Sequence, residues 1–243
     1  ENILKYDGTT NIHGNAKTWA AKNEYDGIDI RVTGVDGGYY TDTTEALVLN
    51  NQTLNVKGKG KFVSIINTAQ NKQIDNNGGI YAKGGSTVNF TDVDSIYIAA
   101  IAGKEGGNDS TVISAKDPGR DLKGYTNIVN ISGTTVQLIG SIDVMHSLGS
   151  VFFNRNARHT VNAALSGSDS FWYGSAIGET DERTTVNLSL ADGATWIFNA
   201  GKSTLNAGGI IRNLKLDKGV VLFADAEVWE TYRKTVIKGT DYV

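Results

Sequence analysis

A short unit recurs through this chain: an apolar residue, an asparagine and a second apolar residue, usually with threonine close in front. It stands at Thr87-Val88-Asn89-Phe90, Ile128-Val129-Asn130-Ile131, Thr160-Val161-Asn162-Ala163 and Thr184-Thr185-Val186-Asn187-Leu188, with a looser copy at Thr204-Leu205-Asn206-Ala207. Three copies lead through a turn into a second strand: Ser132-Gly133 into Val136-Gln137-Leu138, Ser166-Gly167 into Phe171-Trp172-Tyr173, and Asp192-Gly193 into Trp196-Ile197-Phe198. The asparagines recur at intervals from 19 residues (187 to 206) to 41 (89 to 130), a degenerate repeat with insertions. Repeats of roughly 20–30 residues, each a few short strands, are the signature of a parallel β-solenoid, in which every rung pairs with the rungs above and below. A sandwich of hairpins predicts strands at more even spacing, about every 8–12 residues, and no repeated unit. At roughly 20–25 residues per circuit the expected coil has about ten rungs. In the repeated unit the two-residue period turns the flanking apolar side chains inward and the asparagine outward.

The rest of the chain agrees with an all-β reading. Val88 and Phe90, Val136 and Leu138, and Val186, Leu188 and Leu190 alternate with polar residues. Runs of four to six such residues, bounded by Gly, Asn, Asp or Ser, mark half-buried strands. Asp7-Gly8, Asp26-Gly27, Asp36-Gly37, Asn77-Gly78 and Asp192-Gly193 supply turns, and the 29 glycines against one proline suit many tight corners. Two polar stretches, 36–45 and 103–124, read as loop insertions from the coil; the second holds the single proline. No linker divides the 243 residues, so one domain is expected.

A formal net charge of −3, with 23 Lys and Arg against 26 Asp and Glu, excludes a general nucleic-acid binder and a polybasic membrane anchor. No run approaches the ~18 apolar residues of a spanning helix. The chain has no cysteine, which removes disulfides, thiol nucleophiles and cysteine zinc sites. It starts at Glu1, compatible with a segment having been cleaved in front of it.

The stretch from Thr184 to Trp196, with Asp192-Gly193-Ala194-Thr195-Trp196, then Ser203-Thr204-Leu205, then Leu214-Lys215-Leu216-Asp217-Lys218-Gly219-Val220-Val221-Leu222-Phe223, resembles the C-terminal part of an autotransporter passenger domain of the pertactin-like and self-associating adhesin type. Leu165 to Trp172 resembles the preceding rungs, and the likeness covers about residues 127–223; Tyr232 to Gly239 faintly resembles the opening of the family's autochaperone region in a shifted register. The resemblance implies a right-handed coil, export to the bacterial cell surface through the outer membrane, and a passenger fragment tethered in full length to an outer-membrane β-barrel outside this chain. Fold alone does not name the ligand.

No catalytic motif emerges. The nearest approach to a Gly-Asp-Ser-Gly nucleophile is Ser166-Gly167-Ser168-Asp169-Ser170, in the wrong order and inside a repeated turn, and only His13, His146 and His159 offer a base. Gly201-Lys202-Ser203-Thr204 lacks the earlier glycine of a phosphate loop, since position 196 is tryptophan. Glu179, Asp181, Glu182 and Arg183, and the pair Asp92 and Asp94, read as solvated turns, and Lys57-Gly58-Lys59-Gly60-Lys61 as a charged corner. Of the aromatic runs Phe152-Phe153 and Phe171-Trp172-Tyr173, one or two members must face outward, as a stacking surface for sugar or protein or, the reading preferred, beneath a covering loop. No cofactor and no metal site is expected. The expected function is adhesion or cell–cell aggregation, as in a biofilm, with another copy of the chain or a host surface protein or glycan as partner. The candidate contacts are the outward Asn89, Asn130, Asn162 and Asn187, which would form a polar ladder if they stack, together with Tyr39 and Tyr40. On this reading no single asparagine matters much, and the fold survives replacement of all four. A secreted polysaccharide-active β-helix enzyme, or a stalk without binding of its own, are the alternatives.

Overall fold

The structure, a computed structural model, describes residues 1–9, 12–14, 24–34, 45–69, 78–101, 111–117, 123–145, 156–178, 182–198 and 211–223. All regular structure among them is strand: β1 (Ile3–Gly8), β2 (Ile12–Gly14), β3 (Gly27–Gly34), β4 (Glu45–Asn50), β5 (Thr53–Lys57), β6 (Phe62–Ala69), β7 (Gly78–Lys83), β8 (Thr87–Ile101), β9 (Thr111–Ala115), β10 (Thr126–Ile139), β11 (Ser141–Asp143), β12 (Arg158–Ser166), β13 (Phe171–Gly174), β14 (Ala176–Ile177), β15 (Thr184–Ala191), β16 (Thr195–Phe198), β17 (Asn213–Asp217) and β18 (Val220–Phe223). No helix among the described residues is long and apolar enough to cross a membrane.

Every named strand pairs in parallel, and the pairs fall into three stacks. The first runs β5, β8, β10, β12, β15, β17, using the opening halves of β8 and β10. The second runs β1, β3, β6, β8, β10, β13, β16, β18, using their closing halves. The third runs β2, β4, β7, β9, β11, β14. From β5 to β16 the chain visits first, second and third stack in turn and then begins again; β17 and β18 add a further level to the first and second. Strands β8 and β10 bend from the first stack into the second where their registers slip between Ile131 and Gly133. Asp92 takes a φ of 56° at the bend, and a Cβ on Gly133 would stand 2.7 Å from the Val93 carbonyl oxygen. Only glycine lets the two backbones approach so closely there.

Inward residues align from strand to strand into columns. In the first stack Leu54, Val88, Val129, Val161 and Val186 form one, and Val56, Phe90, Ile131, Ala163 and Leu188 another, each residue at most 3% exposed. Leu47, Ile80, Ile113, Ile142 and Ala176 form the matching column of the third. Columns of this kind remove a side chain's whole apolar surface from water at each level, worth about 1.5–3 kcal/mol for a Val, Leu, Ile or Phe as an upper bound. In the second stack Ile98, Leu138, Trp172 and Trp196 continue inward. The two indoles stack with centroids 4.9 Å apart and planes 4° from parallel; Trp172 Nε1 donates to the Gly140 carbonyl (2.8 Å) and Trp196 Nε1 to that of Gly174 (3.0 Å). Trp196, at 6% exposure, therefore lies inward.

Two sequence expectations change. The stretch 103–124 is not wholly an insertion, because Thr111–Ala115 is a third-stack strand between β7 and β11, with Val112 to Ala115 buried. A strand covered on both faces reads as an apolar run without alternation, so the period-2 signal is missing. Residues 36–44, most of the other proposed insertion, lie outside the described residues; Glu45 opens β4. The repeat is also longer than 20–25 residues: successive equivalent positions of the first stack lie 34, 41, 32, 25 and 26 residues apart. The second stack accordingly has eight described strands, about 34 Å of stacking at ~4.8 Å each, in place of ten rungs.

Candidate functional site

The outward face of the first stack is built by the repeated unit. In β15 the burial alternates along Thr184 to Ala191, with Val186, Leu188 and Leu190 buried and Thr185, Asn187 and Ser189 half-buried between them. Because each strand pairs in register with the next, Asn89, Asn130, Asn162 and Asn187 stand at one level of the strand direction, one above another. Two further asparagines extend the column at its ends: Asn55 pairs with Asn89, and Asn213 with Asn187.

Their side chains are hydrogen-bonded throughout. Asn89 Nδ2 donates to Asn55 Oδ1 (2.9 Å), Asn130 Nδ2 to Asn89 Oδ1 (2.8 Å), Asn162 Nδ2 to Asn130 Oδ1 (2.8 Å), Asn187 Nδ2 to Asn162 Oδ1 (2.7 Å) and Asn213 Nδ2 to Asn187 Oδ1 (2.7 Å). All six carboxamides point the same way, the one arrangement in which every interior amide both donates and accepts along the column. The N–H used is the one antiparallel to the amide C=O. The other N–H, anti to Cβ, projects away from the sheet, and each Oδ1 keeps a second lone pair. The ladder thus spends half its capacity on holding rungs in register and offers the other half to solvent. That finding revises the expectation that all four asparagines can be replaced without consequence for the fold.

Beside the ladder a shallow groove of about 450 Å³ runs over successive rungs. Asn130, Asn162, Asn187 and Asn213 line one side, and Thr91, Ser132, Ala164, Ser189 and Lys215 the other. The second column is short-chained, which is why a depression exists there. Among the described residues no carboxylate lines it, and the one charged lining residue is Lys215 at the last described rung. Tyr39 and Tyr40, the other predicted contacts, lie outside the described residues.

The remaining motifs resolve as structure where they are described. Ser170, fully buried, donates its hydroxyl to the Ser166 carbonyl (2.7 Å) and accepts the Val136 N–H (3.0 Å), so it closes a turn. Gly58 and Gly60 have φ of 98° and 75°, making Lys57–Lys61 a tight corner whose Lys61 reaches Asp26 at 3.7 Å. Asp26 also accepts the Asn2 N–H at 2.9 Å, and this bond, with Lys61 beside it, holds its carboxyl below the usual range. Trp172 faces the core, while Phe171 and Tyr173 turn to the opposite side; there Phe171, with Ala99, Ile139 and Ile197, forms a second buried cluster. Glu182 is exposed in a turn, whereas Glu179, Asp181, His146, Phe152, Phe153 and the Gly201–Thr204 stretch lie outside the described residues, as does the side chain of His13.

Sequence reasoning missed one polar cluster. Asn127 accepts from the Gly85 and Ser86 N–H groups (2.9 and 3.0 Å) and donates to Asp117 Oδ1 (3.1 Å), and its Nδ2 lies 3.2 Å from His159 Nδ1. His159 Nε2 is 3.9 Å from Asp117 Oδ2. Ser86 turns its hydroxyl to the Lys83 carbonyl at 2.6 Å. With Asn127 and Ser86 at 0% exposure, His159 at 1% and Asp117 at 7%, this arrangement ties three levels together at a corner, out of reach of a substrate. Nothing in local sequence marks it, because its members come from four separate segments. Among the described residues no three His, Asp or Glu side chains are grouped to hold a metal ion.

Comparison of the chain with protein-family models, with curated proteins and with solved structures returned no match.

Proposed function

We propose that this chain is a right-handed parallel β-helix, the passenger of a Gram-negative autotransporter exposed at the bacterial surface, and that it mediates adhesion or cell–cell aggregation through the first-stack face. The cyclic order in which the chain visits three parallel stacks supports the coil. Crossovers between parallel strands are right-handed in the great majority of folds, which supports the hand. The segment that resembles passenger domains includes β15 to β18, the last described levels of the first and second stacks.

The observation that carries the functional reading is the six-asparagine ladder beside its groove. It offers a flat, repeated array of amides and hydroxyls and no deep pocket. Contacts on such a face are individually weak, and they accumulate when many copies are displayed on two facing surfaces. The partner is a second copy or a host surface protein or glycan, and in the full-length protein an outer-membrane β-barrel tethers the passenger.

The test displays the chain on cells and measures sedimentation of the culture and attachment to host cells. Ala164→Lys combined with Ser189→Lys places two charges in the groove without removing a ladder bond, and loss of aggregation or attachment is expected with the fold retained by circular dichroism. Wild-type levels of both would place binding on another surface; cleavage of a polysaccharide by the purified chain would replace the adhesin reading with an enzymatic one.

A further inference from the structure

The groove and the ladder constrain the ligand further, on the premise that this face is the adhesive one. We infer that it binds an extended, uncharged, β-linked polysaccharide laid along the stacking axis, one sugar ring to each rung.

The first argument is period. Equivalent side chains on this face recur at the spacing of hydrogen-bonded strands, about 4.8 Å. Each ladder amide presents one outward N–H and one open acceptor position at that interval, because its other donor and acceptor are taken by its neighbours. An extended β-1,4-linked pyranose chain advances by about one such spacing per ring. Successive rings are turned over, so identical edges recur every second rung, and each rung still meets hydroxyl groups, donor and acceptor at once, from one edge or the other. An extended polypeptide advances about 3.3 Å per residue, so its same-side groups recur every ~6.6 Å and fall out of phase with the rungs within two or three levels.

Charge is the second argument. The described lining is mostly carbon, from the side chains of the column residues with Ile131, Ala163 and Leu188 at the floor. Its polar groups are the ladder amides, the hydroxyls of Thr91, Ser132 and Ser189, and the ammonium of Lys215. A polyanion would find a single cation there, and the corner beside this face carries the exposed Asp92 and Asp192. A neutral polyol needs no counter-charge, and its desolvation is repaid by hydrogen bonds of the kind the ladder has left over.

Volume is the third. The short second column leaves about 450 Å³ beside the ladder for a chain laid along it, with Lys215 lining its last described rung.

Purified chain is titrated with cello- and chito-oligosaccharides of two to six rings by calorimetry. The four groove asparagines, Asn130 to Asn213, span three rung spacings, ~14 Å. Affinity is therefore expected to rise about three- to tenfold with each ring up to about four or five, from one hydrogen bond or slightly more per ring, and then to level off. Ala164→Trp fills the groove and leaves the ladder bonds intact; it is expected to abolish the titration while the far-UV spectrum and unfolding midpoint stay those of wild type. Absence of binding by any oligomer, affinity independent of length, equal binding of a hexapeptide, or undiminished binding by a folded Ala164→Trp variant would each overturn the inference. The two readings fail separately: aggregation or attachment without oligosaccharide binding sinks the glycan inference alone, and oligosaccharide binding by a chain that confers neither sinks the adhesin reading alone.

Discussion

Removing one amide from the middle of the ladder should cost twice what removing one from its end costs. Asn162 accepts from Asn187 at 2.7 Å and donates to Asn130 at 2.8 Å, so Asn162→Ala deletes two hydrogen bonds; Asn213 makes only the 2.7 Å bond to Asn187 within the ladder, so Asn213→Ala deletes one. At a net ~0.5–1.5 kcal/mol per bond, the expected losses are about 1–3 and about 0.5–1.5 kcal/mol. Asn162 is half-buried, so water partly re-satisfies the groups left behind, and the lower half of each range is the better expectation. Asn162→Asp refines the argument. An ionised carboxylate accepts from Asn187 but opposes the Asn130 Oδ1 with another acceptor, whereas a protonated one can donate to it. Its stability deficit should therefore be large at pH 7 and shrink as pH falls and the introduced carboxyl protonates. Equilibrium urea unfolding, followed by fluorescence of the buried tryptophans, supplies the free energies. Equal losses for Asn162→Ala and Asn213→Ala, or an Asn162→Asp deficit that does not shrink in acid, would refute the idea that the ladder is a chain of working bonds.

Other perturbations follow from the same geometry. Trp196→Ala removes a buried indole stacked on Trp172 and should destabilise by about 3–5 kcal/mol, while Trp196→Phe keeps a stacked ring but orphans the Gly174 carbonyl and should cost less; thermal unfolding of the two variants checks the order. Gly174→Ala should be worse tolerated than either: the backbone sits at a φ of 152°, and a Cβ would stand 2.2 Å from the Gly140 carbonyl oxygen, the acceptor of the Trp172 indole; failure to accumulate folded protein is the readout. Asp26 has a lowered folded-state carboxyl, so its contribution is present above the ordinary carboxylate range and lost as pH falls through the lowered one. Amide exchange at Asn2, corrected for intrinsic rate, should rise in that acid window, and Asp26→Asn should remove the dependence.

The first stack was legible in the sequence because its outer face is wet. Alternation in Thr87 to Phe90, Ile128 to Ile131 and Thr184 to Leu190 shows inside from outside, and the repeated asparagine marks one level in each strand. The ladder's ends were missed for opposite reasons. Thr53-Leu54-Asn55-Val56 carries the same pattern and could have been matched to the unit. Asn206 matched it better than Asn213 does, yet Asn213 takes the position opposite Asn187, so similarity of four residues does not decide which strand pairs. The third stack was hardest to read. Ala46 to Leu49 and Val112 to Ala115 are buried on both sides, so they alternate in nothing that sequence displays. The Asp117, Asn127 and His159 cluster had no local signal, being assembled by the stacking itself.

Along the ladder the chain spends 34, 41, 32, 25 and 26 residues to return to the same column, yet the amides meet at 2.7–2.9 Å every time. Distance along the chain and distance along the face are therefore decoupled. A connection can be longer by a dozen residues, or shorter again, with every asparagine still in register. Corners can diversify as freely as antibody loops do on their framework, while a ligand that tracks the face meets an unchanged ruler.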